Sequence, residues 1–170
     1  MPKRILGINP GAVHTGYALL QSSELRYWGV KNVAGKWSSE KKEKIVREYQ
    51  TLLDVYRPDY VALKKLHTAR SSPELRETVE KLKLLCHIRR IPVYEYPIQY
   101  FEEMILSDNM NKKGLVDSIT ELYPILFNEA EKERIQFKQN RKRTRERIYY
   151  TWMFEAVALA HVCFNQIDNH

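Results

Sequence analysis

Short apolar runs broken by turn residues open this chain, and longer stretches with helical spacing follow. Residues 4–9, 15–21 and 25–33 read as three consecutive strands, separated by Gly11 and by the Ser22-Ser23 pair, which predicts an antiparallel meander. Over residues 39–56 the apolar positions Ile45, Val46, Tyr49, Leu52, Leu53 and Tyr56 recur at helical intervals, and Pro58 stops the pattern. Tyr60-Val61-Ala62-Leu63 is a short buried strand that runs into Lys64 and Lys65. Ser71-Ser72-Pro73-Glu74 carries the marks of a helix start, with Pro in the first turn, and that helix extends to about Arg89. A fifth strand covers residues 92–96. Helices follow from Pro97 to about Leu106, from Lys113 to Leu122 and from Tyr149 to Phe164; in the last, Ala156, Ala158 and Ala160 permit close packing on a sheet. Residues 123–148 are polar, charged and weakly periodic, and are expected to form an irregular or helical surface excursion.

Three antiparallel strands followed by alternating strands and helices define an α/β fold. Its sheet is mixed and five-stranded, with three antiparallel strands and then two parallel ones, flanked by helices. Strands reached through helical crossovers run parallel to the first strand. At 170 residues, with neither repeats nor a linker, residues 1–170 are expected to form one domain with a basic excursion at about 123–148.

Charge narrows the choice of partner. The net charge is +7. Between residues 132 and 147, Lys132, Arg134, Lys138, Arg141, Lys142, Arg143, Arg145 and Arg147 face only Glu133 and Glu146, so this segment holds nearly all of the surplus. Such a concentration favours a polyanion through Coulomb attraction and counterion release. No apolar run approaches the ~20 residues needed to cross a bilayer, and Met1-Pro2-Lys3-Arg4 leads straight into a strand rather than into a signal peptide. Cys86 and Cys163 lack metal-ligand spacing and read as buried free thiols in a reducing, cytoplasmic compartment. Trp28, in a strand, and Trp152, in the last helix, read as core residues.

The segment Ile5-Leu6-Gly7-Ile8-Asn9-Pro10-Gly11, followed by Thr15-Gly16-Tyr17-Ala18, carries the most chemistry. It is a buried strand that ends in a polar residue and turns on Pro-Gly. A carboxylate at the strand end would be placed to hold a metal ion, but Asn9 is a neutral amide.

This opening resembles that of the RuvC-type Holliday junction resolvases, members of the ribonuclease H-like superfamily, in which the strand reads hydrophobic-Gly-hydrophobic-Asp-Pro-Gly before a Thr-Gly pair. The likeness continues in order. Arg57-Pro58-Asp59-Tyr60-Val61-Ala62-Leu63 is similar to the family's fourth strand, and Pro92-Val93-Tyr94-Glu95-Tyr96 to its fifth. Lys113 falls at a basic position of the next helix, and Ala156-Val157-Ala158-Leu159-Ala160 resembles the last helix. The resemblance implies a ribonuclease H-like fold and, for an intact member, endonuclease activity on branched DNA with two Mg²⁺ ions held by four acidic or metal-binding side chains.

Carried over position by position, the resemblance puts Asn9 at the first-strand Asp, Lys64 at the fourth-strand Glu, and Phe154 and Val157 at the two acid positions of the last helix. Hard Mg²⁺ demands anionic oxygen, so no metal, no cofactor and no catalytic residue is expected. The Lys64 ammonium is expected to take the metal's place and to donate to the side-chain carbonyl of Asn9. Glu155, ~100° further round the helix than Phe154, is expected to face away from the stripe of Phe154, Val157 and His161. The implied function is that of a catalytically inactive RuvC-like protein that binds nucleic acid, DNA more than RNA. Its candidate phosphate contacts are Lys64, Lys65, Arg70, Lys113, Lys138, Arg141, Lys142, Arg143, Arg145 and Arg147. His67 stands where the family carries an aromatic wedge. The resemblance also implies a homodimer, with helix 73–90 apolar enough to form its interface. Two alternatives remain: a nuclease with a relocated site built from His14, Glu155 or His161, and a protein-interaction module with an acidic partner.

Overall fold

Each strand is short, and its alternation decides which face of the sheet it serves. The computed structural model describes residues 2–107, 114–139 and 148–169. Strands β1 (Arg4–Asn9), β2 (His14–Gln21) and β3 (Glu24–Asn32) form the antiparallel meander. β4 (Tyr60–Lys64) pairs parallel to β1, and β5 (Val93–Tyr96) pairs parallel to β4. The order across the sheet is β3-β2-β1-β4-β5, the mixed five-stranded arrangement expected from the pattern.

Helices α1 (Ser39–Tyr56) and α2 (Pro73–Ile88) supply the crossovers. Each is capped by serine: Ser38 Oγ accepts the Lys41 amide at 3.0 Å, and Ser72 Oγ accepts the Leu75 amide at 3.2 Å. With Leu6, Ile8, Leu19, Val61 and Leu63, these helices build the core on one face of the sheet. The opposite face, with Ile5, Ala18, Leu20 and Ala62, packs against α6 (Ile148–Asp168) and, around it, α3 (Ile98–Ser107), α4 (Leu115–Leu122) and α5 (Phe127–Gln139).

Glycine lets α6 come unusually close. A Cβ on Gly7 would lie 2.1 Å from the Ala156 carbonyl oxygen, and one on Gly16 would lie 2.0 Å from the Trp152 carbonyl oxygen. The absence of side chains at Gly7 and Gly16, opposite Trp152, Ala156 and Ala160, fixes both the height of α6 over β1 and β2 and its rotation.

The expected surface excursion is only partly that. A turn of 3₁₀ helix at Pro124–Leu126 leads into α5, and Tyr123, Leu126 and Ala130 are buried in the core. The weak helical period of this stretch reflects a helix anchored by one narrow apolar edge. On its outer side, Arg134 pairs with Asp117 at 2.5 Å and also with Glu131. Cys86 and Cys163 are both buried, in cores on opposite faces of the sheet. Burial pushes each thiol up to about 11, so both stay protonated near neutrality. Among the described residues, no helix is long and apolar enough to cross a membrane.

Candidate functional site

Register and alternation bring two polar residues to the same place. Ile8 lies opposite Leu63, so Asn9 and Lys64 follow side by side at the C-terminal ends of the central parallel strands. In β1, Ile5 and Gly7 face α6, and Asn9 continues that set; in β4, Tyr60 and Ala62 do so, and Lys64 follows. Both side chains therefore turn toward α6.

There they meet Glu155. Its Oε2 accepts from Asn9 Nδ2 at 2.5 Å and from Lys64 Nζ at 3.0 Å. Asn9 Nδ2 also lies 3.4 Å from the Trp152 carbonyl oxygen. The Lys64 and Glu155 side chains are 21% and 11% exposed, and Asn9 is fully buried. The Lys64 ammonium lies 5.9 Å from the centre of the Trp152 ring, within cation–π range. One carboxylate thus joins β1, β4 and α6, with an amide and an ammonium as its donors.

This geometry corrects several expectations. Glu155 does face away from Phe154 and Val157, but the site lies on its side of the helix and not on theirs. Phe154 and Val157 are fully buried in the α6 core. Lys64 donates to Glu155 rather than to the Asn9 side-chain carbonyl, because the carboxylate offers a full charge and the amide only a dipole. The same carboxylate orients Asn9, drawing in its NH₂ group, and leaves Oδ1 buried with no hydrogen-bond partner among the described residues. Trp152 is half-buried beside Lys64 and lines a surface cleft, whereas Trp28 packs on the core as expected.

The relocated metal site is not assembled. His14 Nδ1 lies 2.5 Å from Asn32 Oδ1, while His161 is bonded to Tyr123 at 2.7 Å and to Asn165 at 3.1 Å. Among the described residues, no group of three or more His, Cys, Asp and Glu side chains is placed to hold a metal ion. The donor set at the strand ends does not suit Mg²⁺ either. It offers one carboxylate and one neutral amide oxygen, and a lysine ammonium already sits against the carboxylate, where it would repel a divalent cation.

Next to this triad, the loop after β4 shapes a cleft of about 590 Å³. Lys64, Lys65, His67 and Arg70 line it together, so four of the candidate contacts do converge. His67 Nδ1 accepts the Ala69 amide at 3.2 Å, which ties the ring to its own loop. Lys113, Arg141, Lys142, Arg143, Arg145 and Arg147 lie outside the described residues, and only the backbone of Lys138, in α5, lies within them.

Comparison with known proteins places this arrangement in a lineage. The family described as crossover junction endodeoxyribonuclease RuvC matches residues 5–117. The RuvC of Synechococcus sp. (strain RCC307) is 30% identical over 123 residues, covering 66% of this chain and 78% of that protein. The structure of T. thermophilus RuvC in complex with Holliday junction substrate superposes with a TM-score of 0.68 at 15% identity, covering 97% of this chain and 96% of that one. The yeast mitochondrial Holliday junction resolvase Ydc2 superposes with a TM-score of 0.57 at 15% identity, covering 97% and 84%. At such identities the superpositions establish the fold, while the sequence match establishes descent. It spans Asn9 and Lys64 and stops short of α6, the helix that carries Glu155. With its strand-end acids replaced by an amide and an ammonium, the chain belongs to the RuvC family as a member with a degenerate active site.

Proposed function

We propose that this protein binds nucleic acid, branched DNA above all, and does not cut it. The observation that carries this reading is the Lys64–Glu155 ion pair at the ends of β1 and β4, with Asn9 sharing the same carboxylate oxygen. A metal-dependent nuclease needs negative charge there to gather divalent ions. This chain supplies a cation of its own and neutralises its single carboxylate. The basic cleft beside the triad supports the binding half of the reading, since Lys65 and Arg70 are exposed and line it together with Lys64. The run from Lys138 to Arg147, with Lys113, would extend the contact to further phosphates. A homodimer through α2 belongs to the same proposal; Leu84 and Ile88 on that helix are 57% and 68% exposed.

Two experiments address the two halves. Glu155 is an acid already in place, and Ala158, three residues on, shares its side of α6. The variant Asn9→Asp, Lys64→Glu, Ala158→Asp then presents four carboxylates. Mn²⁺ is expected to raise its melting temperature by several degrees while leaving the natural protein unmoved. A rise in the natural protein would show that it already holds a metal. For binding, log K should fall linearly with log salt by about 0.9 per phosphate contact. Replacing Lys65 and Arg70 by serine should flatten that slope by about 2 on duplex or junction DNA. An unchanged slope would remove the cleft from the interface.

A further inference from the structure

Away from the strand ends, the connector between α4 and α5 shows large apolar side chains to solvent. Leu122 closes α4, Ile125 sits in the 3₁₀ turn and Phe127 opens α5; they are 47%, 59% and 58% exposed. Their neighbours Tyr123 and Leu126 are buried and anchor the connector to the core. The three exposed residues lie within six positions and form a patch, which marks an interaction site where a single exposed residue does not. Leu122 and Ile125 also line a socket of about 310 Å³ whose opposite wall is the start of β3. Its innermost members, Leu25 and Tyr123, are buried and apolar in their bodies. The β2–β3 turn at this socket lies beside the start of β1, where the Ser22 amide donates to the Lys3 carbonyl at 2.8 Å. Asn9 lies at the other end of β1, roughly 17 Å away.

Charge selects the partner. From Gly114 to Glu131 the chain has four acidic residues, Asp117, Glu121, Glu129 and Glu131, and no basic one, in a protein of net charge +7. Arg134 folds back onto Asp117 and Glu131, and Arg26 in the socket wall pairs with Glu24 at 2.9 Å. Glu121 precedes the 3₁₀ turn and Glu129 follows it, so the apolar patch is flanked by acid on both sides. Such a surface repels phosphate. A second copy laid across it by a two-fold axis would set those acids against themselves. The chain's own basic run does not suit it either, because residues 138–147 contain no large apolar side chain to fill the socket.

We propose that this surface docks a basic amphipathic helix of a second protein. One large apolar side chain of that helix fills the socket, its neighbours cover Ile125 and Phe127, and flanking lysines or arginines meet Glu121 and Glu129. The surface lies at the opposite end of the sheet from the basic cleft, so partner and nucleic acid can be held together.

Anisotropy titrations of the protein would use a labelled synthetic helix of about 18 residues, with leucine at i, i+3, i+4 and i+7 spacing and lysine elsewhere. Two further peptides separate the components: one with the leucines replaced by serine, the other with the lysines replaced by glutamate. The Leu/Lys peptide should bind about 10-fold or more tightly than either, and the double variant Leu122→Gln, Ile125→Gln should remove that advantage. Both side chains are about half exposed, so this variant should keep the natural melting transition. Phe127→Gln, made separately, should weaken the same peptide. A Leu/Lys peptide that binds natural and substituted proteins alike, or binds neither, would overturn the proposal. Equal binding of the leucine and serine peptides would reduce the contact to charge and overturn it too. So would sedimentation that finds a dimer of the natural protein broken by the double variant, since a second copy would then cover the patch.

Discussion

Replacing Lys64 with methionine is expected to lower the melting temperature by about 5–10 °C, more than any other single substitution on the surface of the cleft. The reason is the asymmetry of burial within the pair. The Glu155 side chain is 11% exposed and the Lys64 side chain 21%. Removing the ammonium leaves a carboxylate with little water and a single amide donor from Asn9. Breaking a fully buried pair costs about 3–5 kcal/mol, and the residual exposure here reduces that to about 2–3. Glu155→Gln should cost less, because the freed ammonium can reach water in the cleft and the new amide oxygen can still accept from Asn9. The double variant Lys64→Met, Glu155→Gln should be less destabilised than the sum of the two singles, since the charge that makes the first so costly is gone. Thermal denaturation of the four proteins checks all three statements. A Lys64→Met protein that melts within 1 °C of the natural one would mean that the pair contributes nothing to closing α6 onto the strand ends.

Gly7→Ala is expected to be more damaging still, at about 3 kcal/mol or more. The new methyl carbon would lie 2.1 Å from the Ala156 carbonyl oxygen and 3.1 Å from the Ala160 amide nitrogen. Both obstacles are backbone in the middle of a packed helix, so no side chain can rotate out of the way. Relief requires α6 to lift from β1 along its length, which would separate Glu155 from Asn9 and Lys64. Denaturant unfolding should therefore show a lower midpoint with an unchanged slope. Gly35→Ala is the control for glycine replacement as such, because a Cβ there would meet nothing within 4 Å, although its φ of 101° makes that substitution conformationally costly. Gly7→Ala should exceed it. A smaller loss at Gly7 would contradict the close approach of α6.

The same close approach explains what could be read from the sequence and what could not. The strands were legible, because β1 and β4 are short continuous apolar runs that end in polar residues and because Gly11 and the Ser22-Ser23 pair mark the turns. The position of Lys64 beside Asn9 followed from two parallel strands with polar ends. The phase of α6 did not. Residues 153–160 are all buried, since the helix lies between the sheet and three other helices, so its hydrophobic pattern points nowhere. What sets the phase is the contact between small residues, Ala156 and Ala160 against Gly7. That signal was present in the Ala-x-Ala-x-Ala run, and reading Ala156 and Ala160 as the sheet-facing pair would have brought Glu155 round to the strand ends and Trp152 with it. Misplacing the helix by one residue turned an acid that is present into an apolar position. For α5, a mean helical pattern carried by only Leu126, Ala130 and their neighbours was too narrow to separate from a charged loop.

The proposed function has the RuvC framework grip nucleic acid around a built-in cation, Lys64, in place of divalent metal. Its most direct test incubates the purified protein with a labelled four-way DNA junction, with Mg²⁺ and with chelator, and follows binding and strand integrity in the same samples. Salt-sensitive binding of similar strength is expected in both conditions, with a junction whose strands remain whole. Mg²⁺-dependent nicking that disappears in Glu155→Ala would contradict it and make Glu155 part of a working nuclease site.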